Sequence, residues 1–117
     1  MVFVDLKKQP ALKPVRGVTM RTPQGEKMML SWVEIEEGCE VPLHSHPHEQ
    51  VGILVSGRML LQIGDEEREL QAGDMYIIPG DTEHRAVAVG GPIRAMDVFC
   101  PVREDYAEMT RAATENE

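Results

Sequence analysis

The sequence predicts an all-β single domain closed by one short C-terminal helix. Three observations carry this prediction. Ten Gly and eight Pro interrupt 117 residues at short intervals, leaving few stretches that could hold a long helix. Between them lie short apolar or alternating runs rich in Val, Ile and Leu, spaced about 8–12 residues apart as in an antiparallel sandwich or barrel. Apolar residues make up 42% of the chain, enough to bury a core at the size of one compact domain.

Taken in order, the strand-like runs are Met28–Glu36, Gln50–Val55, Met59–Ile63, Met75–Ile78, Ala86–Val89 and Ile93–Phe99. Gly64-Asp65, between Leu60–Ile63 and Arg68-Glu69-Leu70, reads as a hairpin turn. No repeat, low-complexity tract or linker divides residues 1–117, which are read as one domain. A helix is predicted over about 103–114: Glu104 and Asp105 place negative charge in its first turn, and Tyr106, Met109 and Ala113 share a face. Pro101 sits just ahead of this start, and residues 115–117 are expected to fray.

Twelve Lys+Arg against 20 Asp+Glu leave a net charge of −8, which argues against nucleic acid or an anionic membrane as partner. No apolar run approaches the roughly 20 residues of a membrane span, and no secretory signal is visible at the N-terminus. Cys39 and Cys100 are too few for a disulfide framework, so a soluble cytoplasmic setting is expected.

All four histidines fall in two short segments, His44, His46 and His48 in one and His84 in the other. On an extended strand His44 and His46 point to the same side, roughly 6.6 Å apart along the chain, so their imidazoles can share one metal ion. Gln50 has the same parity, with Glu49 as a competing oxygen donor because Pro47 interrupts the strand. His48 follows Pro47 in a turn, as a rim residue, a supporting donor or a solvated side chain.

Gly38-(x5)-His44-x-His46-(x3)-Gln50-(x6)-Gly57 resembles the first motif of the cupin superfamily, with Gln where Glu is usual. Gly73-(x5)-Pro79-(x4)-His84 fits the second motif after a strand-sized gap. With Ala88 where that family's trailing Asn is usual, the two metal motifs occupy 38–57 and 73–88. The resemblance implies a jelly-roll barrel, a double-stranded β-helix, in which His44, His46, Gln50 and His84 hold one divalent transition metal ion. Ni, Fe, Mn, Co and Zn all suit imidazole and amide donors. A neutral Gln50 leaves the ion's charge uncompensated, which favours Lewis acidity.

The ending Asp97-x-Phe99-(x3)-Arg103, joined to His-Ser-His-Pro-His-Glu-Gln, resembles the pectin-degradation cupins. That family linearises 4,5-unsaturated uronate monosaccharides to open-chain keto sugars. The resemblance implies that Asp97 and Arg103 are catalytic and that Phe99 and Arg103 bind the anionic sugar. Ala86, Ala88 and Ala95, if they face inward, leave room for it. The alternatives are an iron-dependent dioxygenase, a lyase of a small sulfonium acid, and a non-enzymatic sugar-binding or sensor domain. Leu30, Trp32 and the outward parity of Val51, Ile53 and Val55 point to a homodimer, to which Val2–Leu6 could add a strand.

Overall fold

A computed structural model describes residues 2–115, so the expected fraying of residues 116 and 117 lies outside it. Among the described residues, nine strands form two antiparallel sheets packed face to face. The first sheet contains β1 (Val18–Arg21), β2 (Met29–Ile35), β4 (Glu49–Ser56), β7 (Met75–Ile78) and β9 (Ile93–Cys100). Its spatial order is β1-β2-β9-β4-β7. The second sheet, in the order β3-β8-β5-β6, contains β3 (Glu40–His44), β5 (Arg58–Ile63), β6 (Glu66–Gln71) and β8 (His84–Ala88). Helix α1 covers Glu104–Glu115, one residue beyond the predicted bounds at its C-terminal end, and Pro101 precedes it in the connecting loop.

Every predicted run falls within a strand to a residue or two at its ends, and in β2 and β9 strict alternation buries one parity. In β2, Met29, Ser31, Val33 and Ile35 face the core while Leu30 is exposed. In β9 the same alternation buries Ile93, Ala95, Asp97 and Phe99. Leu54 of β4, Met59 and Leu61 of β5, Leu70 of β6 and Ala88 of β8 complete the layer between the sheets. Gly64-Asp65 joins β5 to β6 as the expected two-residue hairpin, and Gly64 supplies the positive φ of 58°. Helix α1 buries Tyr106 and Ala107 against the open end of the sandwich, with Met109 packed beside them.

One polar step interrupts this core. Asp97 pairs in register with Ser31 on one side and Gly52 on the other, and Gly52 pairs in turn with Tyr76. The buried carboxylate therefore lies in the middle of the first sheet. Among the described residues, no helix is long and apolar enough to cross a membrane.

Candidate metal centre

His44 closes β3 and His84 opens β8, and the two residues are register partners in the second sheet. Their rings lie 4.2 Å apart. His46 has already left the strand, a departure from the extended geometry expected for His44-x-His46, because the chain turns at Pro47. Its ring still lies 5.5 Å from that of His44 and 4.9 Å from that of His84. One ring nitrogen from each histidine falls within 4.8 Å of the others.

The second nitrogen of each ring is already committed. Nδ1 of His44 donates to the Pro42 carbonyl at 2.8 Å, Nδ1 of His46 to the His48 carbonyl at 3.1 Å, and Nδ1 of His84 to the Thr82 carbonyl at 2.8 Å. A carbonyl oxygen can only accept, so all three Nδ1 atoms carry the proton and all three Nε2 atoms present lone pairs. His84 Nε2 is buried with no partner. Burial lowers the basicity of His84 to a pKa of about 4. Burial, then the nearby Arg103 charge, lowers that of His46.

Gln50 is buried on β4 and Glu49 is exposed, so the parity argument selects the amide. Its Oε1 lies 3.1 Å from His46 Nε2. Both atoms present lone pairs. Two donors bonded at about 2.1 Å to a common cation stand roughly this far apart. The buried orphan nitrogen of His84 and the convergence of the three imidazoles fit a metal ion, beside which Gln50 Oε1 offers an oxygen. His48 is half-buried, and its carbonyl rather than its ring supports the cluster.

Asp97 adjoins the donors. Gln50 Nε2 donates to Asp97 Oδ2 at 3.1 Å and the Tyr76 hydroxyl to Oδ1 at 2.5 Å. Burial pushes Asp97 up to about 6, and the two donors partly offset the burial. Burial and the Asp97 charge push the Tyr76 hydroxyl well above its ordinary range. Sequence reasoning missed Tyr76. Its signal was present: Tyr76 has the inward parity of Ile78 in a four-residue apolar run, and its hydroxyl needs a partner there.

Phe99 lies edge-on to His46 at 5.6 Å and edge-on to Tyr106 at 6.0 Å. Arg103 stacks over Tyr106 at 3.9 Å and over Phe99 at 5.2 Å. Its Nε and Nη2 donate to the two carboxylate oxygens of Asp105 at 3.1 and 2.7 Å. This bond holds Asp105 below the usual carboxylate range against the opposing effect of burial. Arg103 therefore lies over the mouth of the sandwich, with one edge of its fork occupied.

The space inside is smaller than the inward alanines suggested. Ala88 and Ala95 do face inward, and Ala86 lines the cavity. The cavity, lined also by Met20, Met59 and Tyr106, holds only about 50 Å³ beside His44, His84 and Asp97. That volume suits water rather than a sugar. A shallower hollow of about 740 Å³ lies elsewhere, lined by Lys13, Arg16, Glu34 and Arg94, and includes none of these donors.

Comparison with known proteins fits this geometry. The Cupin domain family matches residues 31–99. The chain belongs to the cupin family. Among solved structures, this cupin is similar to an RmlC-like cupin from Shewanella frigidimarina, with 24% identity over 91% of this chain and 96% of that one, at a TM-score of 0.84. It is similar to KdgF from a Halomonas species, with 26% identity over 89% of this chain and 98% of that one, at a TM-score of 0.82. An oxalate decarboxylase variant from Bacillus subtilis shares the fold at 16% identity, covering 87% of this chain and 30% of that one, with a TM-score of 0.79. No curated protein sequence matches this cupin.

Proposed function

We propose that this cupin is a metal-dependent isomerase that opens 4,5-unsaturated uronate monosaccharides to keto sugars. One observation carries the reading: a buried carboxylate, Asp97, is hydrogen-bonded to Gln50 beside three converging imidazoles, with Phe99 next to it and Arg103 at the mouth. The similarity to KdgF, whose chain this cupin spans almost completely, supports it.

His44, His46, Gln50 and His84 would hold the ion, which supplies Lewis acidity toward substrate oxygens. The substrate ring is a hemiacetal whose ring oxygen is also an enol-ether oxygen. Asp97 removes the anomeric hydroxyl proton, the bond from that carbon to the ring oxygen breaks, and the aldehyde forms. The released electron pair leaves an enolate, and Asp97 returns its proton to carbon 4, generating the ketone. The proton moves from oxygen to carbon and no other atom is gained or lost. Burial suits Asp97 to both roles by raising its proton affinity. The unoccupied edge of Arg103 can pair with the substrate carboxylate. Because the enclosed space is small, Arg103 and Tyr106 must move for a sugar to enter.

The test is loss of enol-ether absorbance when purified protein meets lyase-generated unsaturated galacturonate. The expected result is decay much faster than in buffer, and slower by a factor of about 100 or more in Asp97→Asn. Decay at the buffer rate overturns the reading.

We also propose that the protein acts as a homodimer joined through the outer face of the five-stranded sheet. Leu30, Val98, Val51 and Ile77 form one register row across β2, β9, β4 and β7; Trp32, Met96, Ile53 and Met75 form the next. At ordinary strand spacing and rise these four strands present about 500 Å² in plan. Two copies would bury a total of about 1,000 Å², the lower bound of a specific interface. Glu34 and Arg94 lie at one end of the face, leaving its centre free of charge as interface cores are.

A further inference from the structure

We propose that Asp97, held by Tyr76, determines which end of the Gln50 amide faces the histidine cluster, so that two residues outside the donor set govern ion affinity. This rests on the metal-binding reading and is independent of the reaction assigned to the site.

The two ends of a glutamine amide have nearly the same shape, but only the oxygen can ligate a cation. Something must decide between them. The histidines do not, because their Nδ1 protons are committed to backbone carbonyls and they offer Gln50 only lone pairs. The ion-free geometry even opposes the observed orientation, since Gln50 Oε1 faces the His46 Nε2 lone pair at 3.1 Å. On the other side, Asp97 Oδ2 lies 3.1 Å from Gln50 Nε2, and an ionised carboxylate can only accept. A flipped amide would set oxygen against oxygen there. Asp97 thus draws the NH₂ group to itself and leaves the oxygen toward the cluster.

Asp97 can do this only if it does not rotate away. The Tyr76 hydroxyl donates to its other oxygen at 2.5 Å, reaching across β4 from strand β7. Gly52, between Tyr76 and Asp97 in register, makes the approach possible. A Cβ at position 52 would lie 2.0 Å from Asp97 Oδ1 and 2.7 Å from the Tyr76 ring. Tyr76 and Asp97 are therefore positioning residues for Gln50, whatever else Asp97 does in turnover.

The experiment measures affinity for Zn²⁺ and Ni²⁺ by competition with a chromophoric chelator, with no substrate present. Asp97→Ala and Tyr76→Phe are each compared in the parent and in a Gln50→Glu background. Asp97→Ala should weaken binding roughly 10–100-fold in the parent, with Tyr76→Phe weaker in effect and in the same direction. In the Gln50→Glu background Asp97→Ala should cause no loss, because either carboxylate oxygen can ligate and a like-charge neighbour has been removed. Unchanged affinity in Asp97→Ala, or an equal loss in both backgrounds, overturns the proposal; equal loss would mean that Asp97 acts by charge alone. Thermal unfolding of the ion-free proteins checks folding, and Tyr76→Phe, which removes a single hydroxyl, keeps the test decisive should Asp97→Ala not fold. A parent that binds neither ion sinks the metal centre itself, an outcome distinct from failure of the orientation argument.

Discussion

Gly52 and Asp97 face each other across β4 and β9 with no space for a methyl group between the glycine backbone and the carboxylate. The glycine is a packing requirement and not a turn device, since it lies within a strand. Gly52→Ala would force Asp97 and Tyr76 to move together. It should destabilise the fold by about 1–3 kcal/mol, the usual cost of an extra core methyl, despite the higher strand propensity of alanine. Urea unfolding of the ion-free protein measures this, and a neutral or stabilising result would mean that the two side chains repack freely.

His84 Nε2 is buried without a partner, so ion binding should depend on it more than the fold does. His84→Ala is expected to abolish ion retention in elemental analysis of the purified protein. In excess chelator its thermal midpoint should stay close to that of the parent. Ion at about 100 times its Kd should add roughly 2.7 kcal/mol to the parent, visible as a raised midpoint, and nothing to the variant. An ion-dependent rise in His84→Ala would remove this histidine from the donor set.

Arg103 is stacked on Tyr106 and joined to Asp105 through two bonds along one edge. Lysine can reproduce the charge but neither the fork nor the stack. Arg103→Lys should therefore raise KM for an unsaturated uronate about 10–100-fold, the worth of one or two charged hydrogen bonds, with a smaller change in kcat. The corresponding ion-pair partner gives the control. Asp105→Asn keeps the shape and weakens the clasp, so its KM should move much less. Equal KM in the parent and Arg103→Lys would return Arg103 to an ordinary structural ion pair.

Legibility in the sequence followed burial. The strands with one fully buried parity, such as β2 and β9, announced themselves by alternation. Strand β6, a charged edge strand with Leu70 as its one buried residue, was legible only through its turn, as the Arg68–Leu70 arm of the Gly64-Asp65 hairpin. Strand β3 carries Pro42 and is only partly buried. The histidine spacing foretold the cluster, although His46 leaves the strand and His84 reaches it as the register partner of His44. Tyr76 and the Asp105 clasp were harder to read. The Tyr76 hydroxyl meets a carboxylate 21 residues away on a strand to which it is not directly paired, and no local pattern records that distance.

The outer face of the first sheet gives the last prediction. Met75 is 75% exposed and Ile77 66%, on the edge strand β7, and they continue the apolar rows of β2, β9 and β4. A contiguous apolar face of this extent is uncommon on a protein that remains alone in solution. Charge on it should disrupt pairing at little cost to the fold, because both side chains already meet solvent in the single chain. Ile77→Glu combined with Met75→Lys is therefore expected to convert a dimer into a monomer of 13.1 kDa in sedimentation analysis. Leu43→Glu, at an exposed apolar site on the second sheet, should leave the dimer intact. A parent that sediments as a monomer at micromolar concentration, or a dimer that survives both charges, would place the contact elsewhere or nowhere.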